Sequence, residues 1–222
     1  MDRIVQDPYP HGVVTEALDW DYYEELEAAF PDPNDVLPPD HASESNKLIQ
    51  CPAAVALQNP KVPDIWKDFI RDHTSKEFLT KVIEVDEGQA VGIRHTGAYN
   101  INMECQFAYN TPTTEITRVR GPHVDNPIEV YAFLLYFSPL TPSTGGDLIM
   151  YRWKGEPKFI GKAEAEDDNV VEIARCPYGR NTLAFTMNTQ EALHGVDLRI
   201  GGYRRYINII AEVENPRFTL PR

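Results

Sequence analysis

The chain has 222 residues, 42% apolar and 25% charged, enough to bury one sizeable core and too rich in hydrophobic residues for a disordered, collagen-like or coiled-coil protein. Its longest apolar run, Val130 to Phe137, is eight residues long where a membrane span needs about eighteen, and Met1-Asp2-Arg3 does not open like a signal peptide. The net charge of −13 argues against a nucleic-acid backbone as the main partner, because phosphate binding relies on clustered Lys and Arg.

The first 40 residues hold eleven acidic side chains against Arg3 alone, a net of −10, whereas the other 182 residues carry −3. That stretch is either a solvated acidic surface or a docking face for a basic partner. Residues 1–87 read as a helical and loop region that packs on a larger core. A first helix is expected from an Asp19 N-cap to about Phe30, with Tyr22, Tyr23, Leu26 and Phe30 as its buried stripe. Pro31, Pro33, Pro38 and Pro39 then force a turn-rich connection. A second helix follows Pro63 and turns Ile65, Trp66, Phe69 and Ile70 inward. Thr74 and Glu77 have the spacing of a capping box for a third helix carrying Phe78, Leu79, Val82 and Ile83.

From residue 88 to 222 the texture changes to short runs of Val, Ile, Tyr, Phe and Thr between Gly, Pro and Asn, which is strand grammar. Strands are expected near 89–94, 98–109, 128–138, 147–152, 157–161, 169–174, 181–186 and 203–213. No helices alternate with them, so the expected fold is mainly β with flanking helices, a sandwich or jelly roll within one compact domain. The odd set Cys51, Cys105 and Cys176 has no C-x-x-C spacing, which points to a reducing cytosol rather than a disulfide framework or zinc knuckle. Cys105 and Met103 share a strand face with Phe107 and read as packing residues.

The chemistry concentrates in three places. In Gly121-Pro122-His123-Val124-Asp125-Asn126-Pro127, residues i and i+2 of an extended segment point to one side, so His123 and Asp125 are able to share an ion. By itself His-x-Asp is equally a loop histidine paired with a neighbouring acid. His194, 71 residues on, follows an apolar strand and precedes a glycine turn, a barrel-rim setting. Two histidines and one carboxylate occupy three positions of an octahedral ion and leave three open, which suits non-heme Fe(II); zinc would more often take a fourth protein ligand or cysteine. Arg204 and Arg205 then interrupt a strand that otherwise reads as core, and a guanidinium buried there needs an anion such as the carboxylate of a small diacid. The two point to opposite faces, so one of them is expected to face water.

At these residues the sequence resembles the 2-oxoglutarate and Fe(II)-dependent dioxygenases, in their prolyl-hydroxylase-like branch, over roughly Asn100 to Val213. His123-Val124-Asp125-Asn126-Pro127 is similar to the metal segment of the hypoxia-factor prolyl hydroxylases. Leu134-Leu135-Tyr136-Phe137, the Gly145-Gly146-Asp147-Leu148 turn, Pro177-x-Gly179 to Leu183-x-Phe185, and His194 with its trailing Arg-x-x-Ile-Asn follow in that family's order.

The resemblance implies a double-stranded β-helix (a cupin-like jelly roll) with an N-terminal helical buttress, and an oxidoreductase of the dioxygenase class, a hydroxylase. His123, Asp125 and His194 would hold Fe(II), and Arg204 would pair with the distal carboxylate of the cosubstrate 2-oxoglutarate. Tyr136 would support that carboxylate, although among Leu134, Leu135 and Phe137 it also reads as plain core. Tyr109 is similar to a cosubstrate-side tyrosine, and Tyr206 departs from the small residue usual at its position. Dioxygen is the oxidant and ascorbate a candidate reductant. The expected substrate is a peptidyl proline, with a free amino acid or other small molecule as the alternative, and the helical N-terminus with the Asn110 to Arg120 loop as lids. A non-catalytic jelly-roll module that binds a metal or ligand is the rival of a different class.

Overall fold

A computed structural model describes residues 4–85, 101–139, 142–160 and 163–220. Its organising element is the last strand, β14 (Arg204–Val213). Successive side chains of a strand point to opposite faces. Ile207, Ile209, Ala211 and Val213 enter a hydrophobic cluster on one side, while Arg204, Tyr206, Asn208, Ile210 and Glu212 line a cavity on the other. β14 lies between β3 (Ile101–Asn110) and β5 (Glu129–Phe137). The sheet continues from β5 through β11 (Thr182–Met187) to β1 (His11–Thr15), and from β3 to β2 (Leu48–Cys51), giving six antiparallel strands.

A smaller antiparallel sheet runs β10 (Val170–Cys176), β7 (Leu148–Trp153), β12 (His194–Val196). Its Leu148, Met150 and Cys176 pack against Tyr136, Ala184 and Tyr206 of the large sheet, so the two sheets face each other across the cavity side. A third sheet joins β4 (Thr113–Thr117), β13 (Arg199–Gly201) and β6 (Ser143–Gly145), and β8 (Phe159–Ile160) pairs with β9 (Glu164–Ala165).

Helices cover the opposite face of the large sheet. The α1 helix (Trp20–Ala28) starts where the Asp19 side chain accepts the backbone N–H groups of Asp21 and Tyr22. Short helices α2 (Pro33–Val36) and α3 (Ala53–Gln58) precede α4 (Asp64–His73) and α5 (Lys76–Val85). Phe30 and Trp66 meet Phe107 and Phe137 of the sheet with ring centroids 4.9 to 5.5 Å apart, mostly edge to face. Trp66 is fully buried and donates its Nε1–H to the Leu26 carbonyl at 3.1 Å. Truncating such a residue to alanine costs about 3–5 kcal/mol.

Several expectations need correction. Tyr22 is exposed, so the buried stripe of α1 is Tyr23, Leu26 and Phe30. The third helix is not capped by Thr74: that hydroxyl donates to Ile70 O in the preceding helix, and Ser75 Oγ accepts the N–H of Phe78 instead. Residues 1–87 are not only helix and loop, because β1 and β2 form both edges of the large sheet. The segment 110–120 contains a strand, β4, paired with β13. The strand expected at 89–94, the start of that at 98–109 and the boundary at 87/88 lie outside the described residues. Among the described residues no helix is long and apolar enough to cross a membrane.

Candidate active site

His123 and His194 lie on neighbouring backbone segments that exchange two hydrogen bonds, His123 N to His194 O at 2.8 Å and His194 N to His123 O at 2.9 Å. The close approach depends on Gly195. A Cβ there would sit 2.8 Å from the Gly121 carbonyl oxygen, nearer than carbon and oxygen tolerate. Each imidazole is fixed by its outer nitrogen: His123 Nδ1 is 2.8 Å from Gly121 O, and His194 Nδ1 is 2.9 Å from Ala192 O. A carbonyl only accepts, so each Nδ1 carries a proton, and in the neutral ring each Nε2 presents its lone pair inward.

Asp125 meets both. Its Oδ1 is 3.4 Å from His123 Nε2 and its Oδ2 is 3.2 Å from His194 Nε2. One ligand atom from each of the three residues falls within 4.8 Å of the other two. Burial disfavours charge on all three. At Asp125 the two imidazoles outweigh burial and hold the carboxyl well below its ordinary value. At His194 the carboxylate outweighs burial and raises the imidazole, whereas His123 is lowered by burial and by His194.

The cluster opens into a cavity of about 510 Å³ against the large sheet, and Arg204 lines the same cavity. Arg204 is 1% exposed. Its Nη1 donates to Asn110 Oδ1 at 3.1 Å, and its guanidinium lies over the rings of Tyr206, Tyr136 and Tyr178 at 4.7, 4.8 and 5.0 Å. Nε and Nη2 have no hydrogen-bond partner among the described residues, and neither does the buried Tyr136 hydroxyl. A buried guanidinium with two idle donor groups and no carboxylate among the described residues is a socket for an anion. Gly146, at φ +88°, makes room for it: a Cβ there would come within 3.1 Å of Arg204 Cδ.

Two expectations about this region are corrected. Arg205 does not face water; it is 7% exposed, with its guanidinium over the Phe30 ring at 4.8 Å on the helix-covered side of the sheet. Tyr109 is not in the cavity either. It lies on that same helix-covered side and donates its hydroxyl to Pro31 O at 2.9 Å. The error is one of parity, since in β3 Gln106 and Asn110 line the cavity and Tyr109, one step out of phase, cannot. Asn110 holds Arg204 in its stead. Reading β14 in steps of two would have found Tyr206, Asn208 and Glu212, while no local pattern marks Tyr178, which reaches Arg204 from beyond β10.

At the other end of the cavity stand Glu129 and Glu212. Burial, then Asp125 and Glu212, push Glu129 up to about 8. Arg120 leans on Asp125 and Glu164 at 3.9 and 3.8 Å, and Lys47 pairs with Glu44.

Fold and site together define a class: an antiparallel β protein with two imidazoles and a carboxylate facing a cavity that also holds a buried arginine with no carboxylate partner among the described residues. Prolyl 4-hydroxylase from Phytophthora capsici has this fold; its crystal structure superposes with a TM-score of 0.52 at 14% identity, over 92% of this chain and 59% of that one. The Pseudomonas putida prolyl-4-hydroxylase gives a TM-score of 0.45 at 14% identity over 91% of both chains. HygX from Streptomyces hygroscopicus, solved with nickel and 2-oxoglutarate bound, gives 0.49 at 12% identity over 95% of this chain and 84% of that one. No protein-family model matches the sequence, and no curated protein does.

Proposed function

We propose that this chain is an Fe(II)- and 2-oxoglutarate-dependent dioxygenase that hydroxylates a C–H bond, built on a double-stranded β-helix with the N-terminal helices as its buttress. The observation that carries the reading is the coexistence, in one cavity, of three residues able to hold a metal and a buried arginine whose Nε and Nη2 have no hydrogen-bond partner among the described residues. The donor set suits the metal: two neutral imidazoles and one carboxylate form a facial set with open positions, the arrangement matched to non-heme Fe(II). The idle donors of Arg204 suit a dicarboxylate.

When bound, Fe(II) and 2-oxoglutarate would supply the oxidising chemistry, one atom of dioxygen entering the substrate C–H bond and the other the succinate formed as 2-oxoglutarate loses carbon dioxide. The chain's own residues do the positioning. Gly121 O and Ala192 O hold a proton on Nδ1 of His123 and His194, so the neutral rings would offer Nε2 to the metal. Arg204 would orient the cosubstrate by its far carboxylate, with Asn110 keeping the guanidinium in place and Tyr136 offering its hydroxyl to the same group. The wall formed by Tyr136, Tyr178 and Tyr206 keeps water from the arginine and strengthens the ion pair.

We read the substrate as a peptidyl proline on the strength of the His123 to Pro127 segment, and the compartment as the cytosol, since Cys51, Cys105 and Cys176 are all free and buried. The test is succinate release from 2-oxoglutarate by the Fe(II)-loaded chain, alone and with proline-containing peptides or free amino acids, together with a mass-spectrometric search for the gain of one oxygen. Oxygen gain only on small molecules would transfer the activity to that class. Failure to bind 2-oxoglutarate at all would leave the metal- or ligand-binding module.

A further inference from the structure

The N-terminal region sends one side chain into the Arg204 end of the cavity. Asn46 is buried and lines that cavity. It stands two residues before Leu48, which pairs with Asn110, and Asn110 pairs in turn with Arg204. Both β2 and β14 run antiparallel to β3, so the step back from Leu48 to Asn46 leads past Arg204 and away from Asn208 and Glu212. The segment is pinned there. Asn46 N donates to Pro112 O at 3.3 Å, Lys47 N to Thr111 Oγ1 at 2.8 Å, and Thr111 N to Lys47 O at 2.9 Å. Yet Asn46 Nδ2, itself buried, has no hydrogen-bond partner among the described residues, a condition that native structures rarely leave unexplained.

The direction of that amide is fixed. Arg199 Nη1 donates to Asn46 Oδ1 at 2.7 Å, and a guanidinium only donates, so the oxygen faces Arg199 and the NH2 group faces elsewhere. Arg199 is fully buried, and its other described partners are also uncharged: Nη1 reaches Thr111 O at 3.0 Å and Nη2 reaches Gly202 O. Arg199 and Arg204 flank one glycine, since a Cβ on Gly146 would stand 3.1 Å from Arg204 Cδ and 3.6 Å from Arg199 Cδ. Burial and then the charge of Arg204 hold the Arg199 guanidinium below its ordinary value, as befits two cations in one region. This end of the cavity therefore gathers two buried guanidinium groups and an aimed amide donor, with only neutral oxygens as their described partners. The hydrogen bond from Arg199 also polarises the Asn46 amide and strengthens its N–H groups as donors.

From this placement we infer that Asn46 is a second donor to the carboxylate that Arg204 binds, through an NH2 group whose direction Arg199 fixes. The inference rests on the reading of the cavity as a 2-oxoglutarate site, and it gives a residue of the N-terminal region a part in recognising the far carboxylate of the cosubstrate. Asn46 has φ +52°, a left-handed conformation that asparagine adopts more readily than other residues with a side chain. Glycine takes the same backbone without strain, and aspartate keeps an oxygen for Arg199. The donor is thus removable in two ways that leave the segment in place.

The experiment is anaerobic calorimetric titration of the full chain, native, Asn46→Gly and Asn46→Asp, first with Mn(II), then with 2-oxoglutarate on the Mn(II)-loaded protein, and with glutarate on the metal-free protein. Both variants should bind Mn(II) within about threefold of native and lose about tenfold or more in 2-oxoglutarate affinity, the value of a hydrogen bond to a charged group. Asn46→Asp should lose more than Asn46→Gly, because it adds a repelling charge, and its urea midpoint should not fall below native, because Arg199 keeps its acceptor. A purely structural Asn46 predicts the reverse for aspartate, a stable protein with native affinity. Binding of 2-oxoglutarate within threefold of native by both variants overturns the inference and leaves Arg204 as the anchor. A loss confined to Asn46→Asp overturns it too, since repulsion alone explains that result, and so does a loss in Asn46→Gly matched by a loss of Mn(II) affinity. If the native chain binds no 2-oxoglutarate, the oxygenase reading falls, and glutarate binding to the native chain beside Asn46→Gly decides whether Asn46 serves an anion; absence of glutarate binding then overturns the inference as well.

Discussion

Replacing Arg204 by methionine should separate cosubstrate binding from folding. In the ligand-free protein the guanidinium has lost several kcal/mol of hydration on burial. Against that stand three aromatic rings within 5.0 Å, about 1 kcal/mol each, and one hydrogen bond to Asn110, about 1.5–3 kcal/mol. The opposing contributions are of similar size, and methionine keeps the volume of the aliphatic stem. Arg204→Met should therefore change the unfolding free energy by no more than about 2 kcal/mol. With a dicarboxylate bound the balance is different, because removing one partner of a buried charge pair costs about 3–5 kcal/mol, a loss of roughly two to three orders of magnitude in 2-oxoglutarate affinity.

Arg205→Ala should show the opposite signature. Its guanidinium packs on Phe30 beneath the helices, so the variant should lose about 1–3 kcal/mol of stability and bind 2-oxoglutarate within about threefold of the native protein. The assay is anaerobic calorimetric titration of 2-oxoglutarate into the Mn(II)-loaded variants, beside urea unfolding of the metal-free ones. A large affinity loss confined to Arg205→Ala, or Arg204→Met binding within threefold of native, would refute the assignment.

Other consequences follow from the same geometry. Asp125→Ala removes the carboxylate of the proposed metal set and should lower Fe(II) or Mn(II) affinity by about 100-fold or more and abolish succinate formation, with the circular dichroism spectrum unchanged. Gly195→Ala forces a Cβ against Gly121 O and must push His194 away from His123; metal affinity should fall by about tenfold or more, with a loss of about 1–3 kcal/mol in stability seen by denaturant unfolding. Glu129 is raised from 4.5 to about 8, so the metal-free fold holds its proton where the unfolded chain has released it, and the stability linked to this group is present below pH 4.5 and lost as pH rises to 8. Glu129→Gln should accordingly be more stable than the native chain at pH 8 by up to a few kcal/mol, a gap that closes toward pH 4.5 in urea titrations; a gap independent of pH would show that Glu129 is not the group responsible.

The inner strands of the large sheet were readable because they are longer and alternate. The apolar positions of Arg204–Val213 and Glu129–Phe137 are strong enough that Val, Ile, Phe and Tyr content alone locates them. The edge strands were not, because His11–Thr15 and Leu48–Cys51 are four or five residues in proline-rich surroundings, and a strand that short is defined by the neighbour it pairs with. The caps illustrate the same limit. Asp19 has a single helix to serve, whereas Thr74 stands between two and its hydroxyl is taken by the carbonyl of the earlier one.

The site follows a sharper rule. His123 and Asp125 share a side because they are two apart, and that relation survives any uncertainty about the strand's ends. Arg204 and Arg205 are one apart, so one belongs to the cavity and its neighbour to the helix face; the sequence shows that they differ, and the motif following Arg204 tells which is which. Tyr109 is one step out of parity with Asn110, the residue that shares the cavity with Arg204, and so faces the helices. Glu129 could not have been placed by counting at all. Its direction is set by the extra residue Val130, and a bulge is visible only as a break in register between β5 and β14. Side chains that line the cavity at regular spacing were therefore accessible from the sequence, while Glu129 stands where the regular spacing breaks.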